Sequence, residues 1–133
     1  MVLCVGEVLV DMIAYETPEG VSYQRKAGGA PFNVACAINK FGGSASFVGA
    51  VGNDTIGSFL ESFIKKQNLV SFHLEKNLNR NTTLAFVDLD SEGERSFCFY
   101  RTTGTFSWQN SRASAFAYPS NNGDGRYDSL LGV

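Results

Sequence analysis

The sequence has few of the residues that build metal and redox sites. Its 133 residues include one histidine and three cysteines, and no cysteine pair has the CxxC spacing of zinc or redox motifs. Cys4, Cys36 and Cys98 each lie inside an apolar segment, which predicts buried, reduced thiols and a cytoplasmic protein. His73 has no acidic or cysteine partner at motif spacing, so we expect it to be structural and predict no metal site.

The sequence also lacks a strong charge of either sign. Eleven Lys and Arg residues nearly balance thirteen Asp and Glu residues, and this interspersed pattern offers no basic patch for nucleic acid. Glu7 and Asp11 interrupt the first apolar run, and no basic region accompanies it, so we expect neither a signal peptide nor a membrane span. A Walker-type phosphate loop and a GxGxxG fingerprint are missing too, which weighs against a nucleotide-binding module of Rossmann type.

What the sequence does contain is enough apolar material for one domain, with 44% hydrophobic residues and eleven phenylalanines. Hydrophobic periodicity and helix-capping residues predict the order of its elements. They are a strand over 2–10, short strands joined by a turn within 12–27, a helix over 31–41, a strand over 45–51, a helix capped by Asp54, and a hairpin of strands 83–90 and 95–101. Alternating strands and helices with short connections predict an α/β fold with a parallel sheet.

Residues 102–133 differ in character from the rest of the chain. They are rich in Ser, Asn, Gly and Tyr, and residues 121–125 form a run of turn formers without a helical or strand period. We therefore expect one domain over 1–101 and a divergent, poorly ordered tail over 102–133. A frameshift or an alternative exon would introduce such a sequence, and the composition leaves open whether the tail is biological or an artefact.

A diglycine followed by a helix start is the most informative local pattern. Gly28 and Gly29 can adopt positive φ and lie close to a bound molecule. Pro31 suits the first helical turn, and Asn33 would lie beside unpaired N–H groups at the positive end of the helix dipole. Such an arrangement can hold hydroxyls or anionic oxygens. Taken alone, a plain glycine-rich loop that caps a helix explains these residues about equally well.

Glycine spacing downstream of this pattern carries a family resemblance. The motif Gly28-Gly29-Ala30-Pro31-x-Asn33-x-Ala35 continues to Gly42 and Gly52, and it resembles the first signature of the ribokinase-like sugar kinases, the phosphofructokinase-B class of carbohydrate kinases. Segments 5–11 and 47–57 agree with that family. Segments 82–87 and 93–101 are most similar to its fructokinase branch. The resemblance covers residues 1 to about 101.

This resemblance implies a ribokinase-like α/β fold, with a parallel sheet, flanking helices and a small β lid, in truncated form. It implies an enzyme that transfers the γ-phosphoryl group of ATP to a sugar hydroxyl with Mg²⁺, with fructose as the leading substrate. In the family, the catalytic base and most of the nucleotide pocket come from a later Gly-Ala-Gly-Asp type motif that this sequence lacks. We therefore name no catalytic residue and expect this chain alone to be inactive.

A second, non-catalytic function stays open at this point. Lid-mediated dimers occur in the family, and an incomplete sheet leaves strand edges that invite pairing. The alternative is a truncated product that pairs with itself or with a full-length kinase subunit through the lid sheet.

The substrate-binding residues that the resemblance implies come from both parts of the pattern. They are Asp11, Gly28, Gly29, Asn33, Phe99 and Arg101. Asp11 matches an aspartate that accepts hydrogen bonds from sugar hydroxyls, although without the resemblance a strand-end turn residue is the more common interpretation. Gly28 and Gly29 match glycines whose backbone lies along the sugar, and Asn33 matches an amide with both a donor and an acceptor for a hydroxyl.

Arg101 and its neighbours complete the implied site. Arg101 resembles an arginine that fructokinases and related keto-sugar-acid kinases direct toward substrate oxygens, a task that suits its fixed fork of donors; the alternative is a solvated strand-end charge. Phe86 and Phe99 are expected to form an apolar wall against the sugar, although phenylalanines in strands are more often core residues. Asp54 is expected to be only a helix cap.

Overall fold

The computed structural model describes residues 1–101, 117–119 and 127–129. The elements in these ranges are β1 (Val2–Val5), β2 (Leu9–Thr17), β3 (Gly20–Gly28), α1 (Ala30–Lys40), β4 (Ala45–Gly52), α2 (Thr55–Lys65), β5 (Phe72–Asn77), β6 (Leu84–Leu89), β7 (Arg95–Tyr100), β8 (Ala117–Pro119) and β9 (Tyr127–Ser129). The predicted α/β class with a parallel sheet and flanking helices is confirmed.

The first sheet, which we call the core sheet, contains three parallel strands in the order β1-β4-β5. Helices α1 and α2 pack against it. The spacing in α2 correctly predicts that Leu60 and Ile64 are buried. In α1, the spacing predicts a buried stripe of Val34, Ala37, Ile38 and Phe41, and this is wrong, because the helix turns Phe32 and Ala35 to the core and leaves Val34 and Phe41 exposed. Phe32 of α1 contacts Phe47 of β4 edge to face, with ring centroids 5.3 Å apart. Phe47 and Leu60 are fully buried, so this interface is the hydrophobic core of the described residues.

Both helices begin and end where local signals place them. Gly29 precedes α1 with a φ of 108°, and Pro31 occupies its first turn. Gly42 follows α1 with a φ of 84°, a conformation that favours glycine after a helix C-terminus. The Asp54 carboxylate accepts a hydrogen bond of 2.7 Å from the Gly57 N–H at the start of α2, so the predicted cap is confirmed.

The second sheet, which we call the outer sheet, has the order β3-β2-β6-β7. Its β2 strand pairs antiparallel with β3 and parallel with β6. The predicted hairpin is confirmed as β6 and β7, whose register places Ala85 opposite Phe99. Residues 12–27 were expected to form short strands. Instead β2 and β3 contain nine residues each, because their full-length antiparallel pairing extends to the turn before Gly20.

The prediction of one strand over residues 2–10 is wrong. The chain leaves the core sheet at Gly6, which has a φ of 150° and lies so close to Pro31 that a Cβ would meet its Cγ at 2.6 Å. It then enters the outer sheet at Leu9. A continuous apolar run therefore spans two strands of different sheets, because both strands are buried against the same core cluster.

Two further expectations need correction. β5 was not predicted, because its sequence Phe72–Asn77 mixes apolar and charged residues, as an edge strand can. Cys4 is buried and Cys36 half-buried, but Cys98 is exposed, so the expectation of three buried thiols is wrong for Cys98. It lies on the outer-sheet strand β7, whose residues are all exposed.

Most of residues 102–133 lie outside the described residues, so the predicted domain boundary and poorly ordered tail stay predictions. Within that segment, β8 and β9 pair antiparallel, with Tyr118 opposite Asp128. In the part of the chain that the structure describes, neither helix is long and apolar enough to cross a membrane.

Candidate functional site

Alternation along β2 gives the outer sheet two distinct faces, because successive side chains of a strand point to opposite sides. We call the side that carries Leu9, Asp11 and Ile13 the Asp11 face, and the other the Met12 face. Met12 packs against the core cluster. Arg25, opposite Met12 on β3, lies with its guanidinium carbon 4.2 Å from the Phe59 ring centroid of α2. The Met12 face therefore covers the core, and the Asp11 face is turned away from α2.

Asp11 and Gly28 meet on the Asp11 face. They are diagonal neighbours, since Asp11 is opposite Lys26 and Leu9 is opposite Gly28. A Cβ at Gly28 would lie 2.3 Å from Asp11 Oδ2. The carboxylate therefore lies directly over the Gly28 α-carbon, and only a residue without a side chain permits this contact.

The Asp11 carboxylate is available for a ligand. The side chain is half-buried, and burial raises the pKa of its carboxyl above the ordinary value. Among the described residues, none donates a hydrogen bond or forms an ion pair to it. A partly desolvated carboxylate without a donor is a strong acceptor for hydroxyl groups that replace its lost water.

Gly29 brings the start of α1 against the connection between β1 and β2. A Cβ at Gly29 would lie 2.4 Å from the carbonyl oxygen of Glu7 and 3.0 Å from the Val8 α-carbon. The Asn33 N–H donates a 2.9 Å hydrogen bond to the Gly29 carbonyl, and the Asn33 side chain is exposed in the first turn of α1. Gly29 thus packs tightly against the β1–β2 connection, and the Asn33 amide is exposed at the start of α1.

Arg101 reaches this connection from β7. Its Nη2 lies 3.5 Å from Glu7 Oε1, and its guanidinium carbon lies 4.6 Å from the centroid of the Phe99 ring. Phe99 in turn stacks on Phe97, with centroids 6.3 Å apart. Sequence reasoning did not single out Glu7 as a partner of Arg101. The only sequence feature that pointed to Glu7 was its position directly after Gly6, where the chain changes sheets.

Strand register shows which predicted residues share a surface. Lys26, Asp11, Ala85 and Phe99 are successive cross-strand partners over all four strands, so Asp11 and Phe99 lie on one face. Phe86 is on the opposite face, where its ring meets those of Tyr23 and Tyr100 edge to face at 5.2 and 5.4 Å. The expectation that Phe86 and Phe99 form one wall is therefore wrong.

The six predicted residues do not all line one cavity. Phe99 and Arg101 line an open cleft of about 370 Å³ together with Asn81, Thr82, Leu84 and Tyr100. Asp11, Gly28, Gly29 and Asn33 are not part of that cleft. Two contacts nevertheless connect the sets, namely the Asp11–Phe99 row of the sheet and the link from Gly29 through Glu7 to Arg101.

Register also assigns residues that sequence reasoning missed. Ala85 and Val87 of β6 belong to the Asp11 face and are 1% and 8% exposed. Side chains alternate between the two faces of β6, so pairing Ala85 with Phe99 could have placed Ala85 and Val87 on the same face as Phe99. The resulting surface combines an acceptor at Asp11, donors at Arg101 and an apolar floor, which fits a polyhydroxylated molecule with a hydrophobic face.

No metal-binding group emerges within the described ranges. In residues 1–101, 117–119 and 127–129, no three His, Cys, Asp or Glu side chains are placed to hold an ion.

Comparisons with known proteins agree on one family. The pfkB family of carbohydrate kinases matches residues 1–122. Fructokinase-2 of Oryza sativa subsp. japonica is 41% identical over 105 residues, covering 76% of this chain and 31% of its own length. The probable fructokinase-5 of Arabidopsis thaliana is 39% identical, with coverage of 76% and 32%.

A solved structure agrees as well. The crystal structure of Xylella fastidiosa fructokinase with bound ATP is 44% identical, with a TM-score of 0.66 over 75% of this chain and 30% of that chain. The chain thus spans about a third of the length of the curated relatives it matches.

Proposed function

The chain belongs to the pfkB family of carbohydrate kinases, and we propose that it is the N-terminal, sugar-binding portion of an ATP-dependent fructokinase-like enzyme. The reaction of the complete enzyme is transfer of the γ-phosphoryl group of ATP to a sugar hydroxyl. The observation that carries the proposal is the Asp11 carboxylate, which lies over Gly28 on the same sheet face as Phe99 and has no donor within residues 1–101.

Asp11 and the diglycine hold one side of the sugar in this proposal. Asp11 accepts hydrogen bonds from sugar hydroxyls, which supply the donors that burial has removed. The backbone of Gly28 and Gly29 lies along the sugar, as the family resemblance implies, while their missing side chains leave room for the Asp11 carboxylate and the Glu7 carbonyl. The exposed Asn33 amide offers a donor and an acceptor to a further hydroxyl.

Phe99 and Arg101 hold the other side. The Phe99 ring packs on the apolar face of the sugar, and the Arg101 guanidinium donates to substrate oxygens. In the described conformation Arg101 is paired weakly with Glu7 at 3.5 Å. A half-exposed ion pair of this kind contributes about 0–1 kcal/mol, so a substrate oxygen can replace Glu7 as the partner at little cost.

Fructose is the proposed substrate, because relatives that are 39–44% identical to this chain are named fructokinases. ATP is the proposed phosphoryl donor, as the Xylella structure has ATP bound, and Mg²⁺ is the proposed metal. The described residues contain no cluster of three metal-binding side chains, and the sequence contains no Gly-Ala-Gly-Asp motif. We therefore propose that this 133-residue chain alone has no appreciable kinase activity and that it acts in the cytoplasm.

Sugar binding is tested by thermal unfolding of the chain with and without fructose. A ligand at about 100 times its Kd stabilises the folded state by ~2.7 kcal/mol, which raises the midpoint by several degrees. We expect Asp11→Asn to abolish this shift, because the acceptor charge is lost. Glu16→Gln, at the exposed far end of the same strand, should retain it. A wild-type chain that shows no shift at saturating fructose contradicts the proposal.

The inactivity is tested separately by a coupled assay with fructose, ATP and Mg²⁺. Normal turnover by the purified chain would show that the base and the nucleotide site are present after all. Loss of fructose binding together with loss of turnover in Asp11→Asn would then assign both to this chain.

The alternative function is a non-catalytic one, and the exposed edge of the outer sheet favours it. All six residues of β7 are exposed, so its outer N–H and C=O groups can pair with another strand. In this alternative the chain forms a homodimer, or pairs with a full-length kinase subunit, through the outer sheet. Light scattering coupled to size exclusion distinguishes the two: a monomer that does not co-elute with an intact fructokinase argues against pairing.

A further inference from the structure

One buried hydroxyl directly before β6 has no partner among the described residues. Thr83 is 1% exposed, and within the described residues its Oγ1 is the one buried side-chain polar atom that makes no hydrogen bond. An unpaired buried hydroxyl costs about 1–3 kcal/mol. Native proteins keep such a group where it has a use or an occasional partner.

The hydroxyl of the adjacent Thr82, in contrast, is fully paired. Thr82 Oγ1 donates to Asp54 Oδ1 at 2.7 Å and accepts from the Gly52 N–H at 3.0 Å. Thr82 is therefore directed to the N-terminus of α2. Because successive side chains of an extended segment point to opposite sides, the Thr83 hydroxyl is directed away from α2.

Strand register places Thr83 on the Asp11 face. The Val10 N–H donates to the Thr83 carbonyl at 3.1 Å, and Val10 is opposite Leu84. Thr83 therefore lies beside Leu9, whose partner on β3 is Gly28. Two residues further along, Ala85 lies beside Asp11. The orphaned hydroxyl thus belongs to the row of the sheet directly next to the Asp11 carboxylate.

We propose that Thr83 Oγ1 hydrogen-bonds a hydroxyl of the bound sugar other than the one that Asp11 holds, and that it acts as a specificity-determining residue. This inference rests on the proposed sugar site. Positions i and i+2 of a strand are about 6.6 Å apart. A single sugar hydroxyl therefore cannot reach both Asp11 and Thr83, whereas two hydroxyls of one hexose can. A hydroxyl both donates and accepts, so Thr83 suits a sugar alcohol in either orientation.

Burial makes this contact selective. A partner hydroxyl at Thr83 would be shielded from water, and a site built to pair a substrate hydroxyl rejects analogues that lack it. Sugars without that hydroxyl would leave Thr83 unpaired, as it is in the ligand-free protein.

The experiment compares Thr83→Val, which removes the hydroxyl at nearly constant volume, with Thr83→Ser, which keeps it. Calorimetric titration of the full 133-residue chain with fructose should show at least about a tenfold loss of affinity for Thr83→Val. Thr83→Ser should stay within about threefold of wild type. Thr55→Val, an exposed threonine at the start of α2, is the matched control and should bind like wild type. Without sugar, Thr83→Val should unfold at the same or a higher temperature.

Deoxy analogues of fructose identify the partner. The analogue that lacks the hydroxyl paired with Thr83 should bind wild type about as weakly as fructose binds Thr83→Val, and Thr83→Val should not distinguish the two sugars. Equal fructose affinity of wild type and Thr83→Val, or equal discrimination of every analogue by both proteins, overturns the role of Thr83. If wild type does not bind fructose at all, the proposed function fails and this inference fails with it. If wild type binds fructose and Asp11→Asn does not, the proposed sugar site is supported. The fructose affinity of Thr83→Val alone then decides whether Thr83 contributes to it.

Discussion

The two sheets of this protein treat aromatic residues in opposite ways. In the core sheet, Phe47 is fully buried, and it is one of seven buried residues among the eight of β4. In the outer sheet, Phe97 and Phe99 are 56% and 49% exposed, and every residue of β7 is exposed. The aromatics of the core sheet are explained by packing. Those of the outer sheet form a stacked, exposed pair, a feature that marks ligand or interaction surfaces.

This contrast teaches that the two sheets carry different tasks. Burial of the core sheet supplies the stability, because apolar area removed from water is the main favourable contribution to folding. The outer sheet contributes fewer buried side chains, and on its Asp11 face the Asp11 carboxylate and the buried hydroxyl of Thr83, directly before β6, have no hydrogen-bond partner among the described residues. Each substitution below is chosen to test this division, and each is paired with a control in the same or the other sheet.

The largest expected effect comes from the two phenylalanines themselves. Phe47→Ala should lower the free energy of unfolding by about 3–5 kcal/mol, because it leaves a cavity between β4 and α1. Phe97→Ala should change it by less than about 1 kcal/mol, since its ring is mostly in water already. Urea denaturation followed by circular dichroism measures both. Similar losses for the two variants would contradict the division of tasks.

The second effect concerns the network that joins the sheets. Asp54 accepts from the Thr82 N–H at 2.8 Å and the Thr82 hydroxyl at 2.7 Å, besides capping α2. Asp54→Ala should cost about 2–3 kcal/mol, because it removes the cap and leaves the Thr82 N–H and hydroxyl proton without an acceptor. Asn53→Ala, next to it and exposed, should stay within about 0.5 kcal/mol of wild type.

The pH dependence of this effect has a defined sign. Burial raises the pKa of Asp54, but the hydrogen bonds from Thr82 and Gly57 outweigh burial and leave the pKa below its ordinary value of 3.8. The stabilisation is therefore complete above pH 3.8 and is lost as the pH falls through the lower, folded-state pKa. Urea titrations at pH 7 and pH 3 should show a smaller difference between wild type and Asp54→Ala at pH 3. An equal difference at both would show that the charge is not involved.

A third effect separates close backbone approach from conformational strain. Gly29 and Gly42 both have positive φ, but a Cβ at Gly29 would meet the Glu7 carbonyl at 2.4 Å, whereas one at Gly42 meets nothing within 4 Å. Gly42→Ala should cost only the strain, about 1–2 kcal/mol. We expect Gly29→Ala to cost at least about 1 kcal/mol more and to weaken fructose binding. Equal unfolding midpoints for the two variants would show that the β1–β2 connection yields easily.

Elements with strong local signals could be predicted from the sequence, and those that depend on pairing could not. The cap at Asp54 and the glycines after α1 mark helix ends in any context. The change of sheets at Gly6 has only a weak marker, because Gly6 and Glu7 are a brief interruption of the otherwise apolar segment 2–10. β5 pairs in parallel with β4 only after the chain has passed through α2, and its mixed edge sequence does not reveal this pairing.

The candidate site divides in the same way. Asp11, the diglycine, Asn33, Phe99 and Arg101 could be named because they lie in motifs that a family resemblance identifies. Their relative placement depends on register, which a one-residue slip would invert. For this reason the sequence prediction put Phe86 on the same wall as Phe99, although register places them on opposite faces. Glu7 and Thr83 were missed because their roles depend on contacts with a neighbouring strand or connection.

The smallest effect on stability is the most informative about function. Because burial raises the pKa of Asp11, the charged carboxylate destabilises the folded state above its folded pKa, and the penalty fades as the pH falls toward 3.8. Asp11→Asn should therefore unfold at a slightly higher temperature than wild type at pH 7, with a smaller gap at pH 4. This trend is opposite to that of Asp54→Ala, where the wild type is the more stable protein.

A thermal scan with fructose then completes the test of Asp11. The more stable Asp11→Asn should lose the sugar-dependent shift that the less stable wild type shows, because the same uncompensated charge that weakens the fold attracts the hydroxyls. A variant that is less stable than wild type at pH 7 would mean that Asp11 supports the outer sheet as Asp54 supports the core. The contrast between the two sheets would then not extend to their carboxylates.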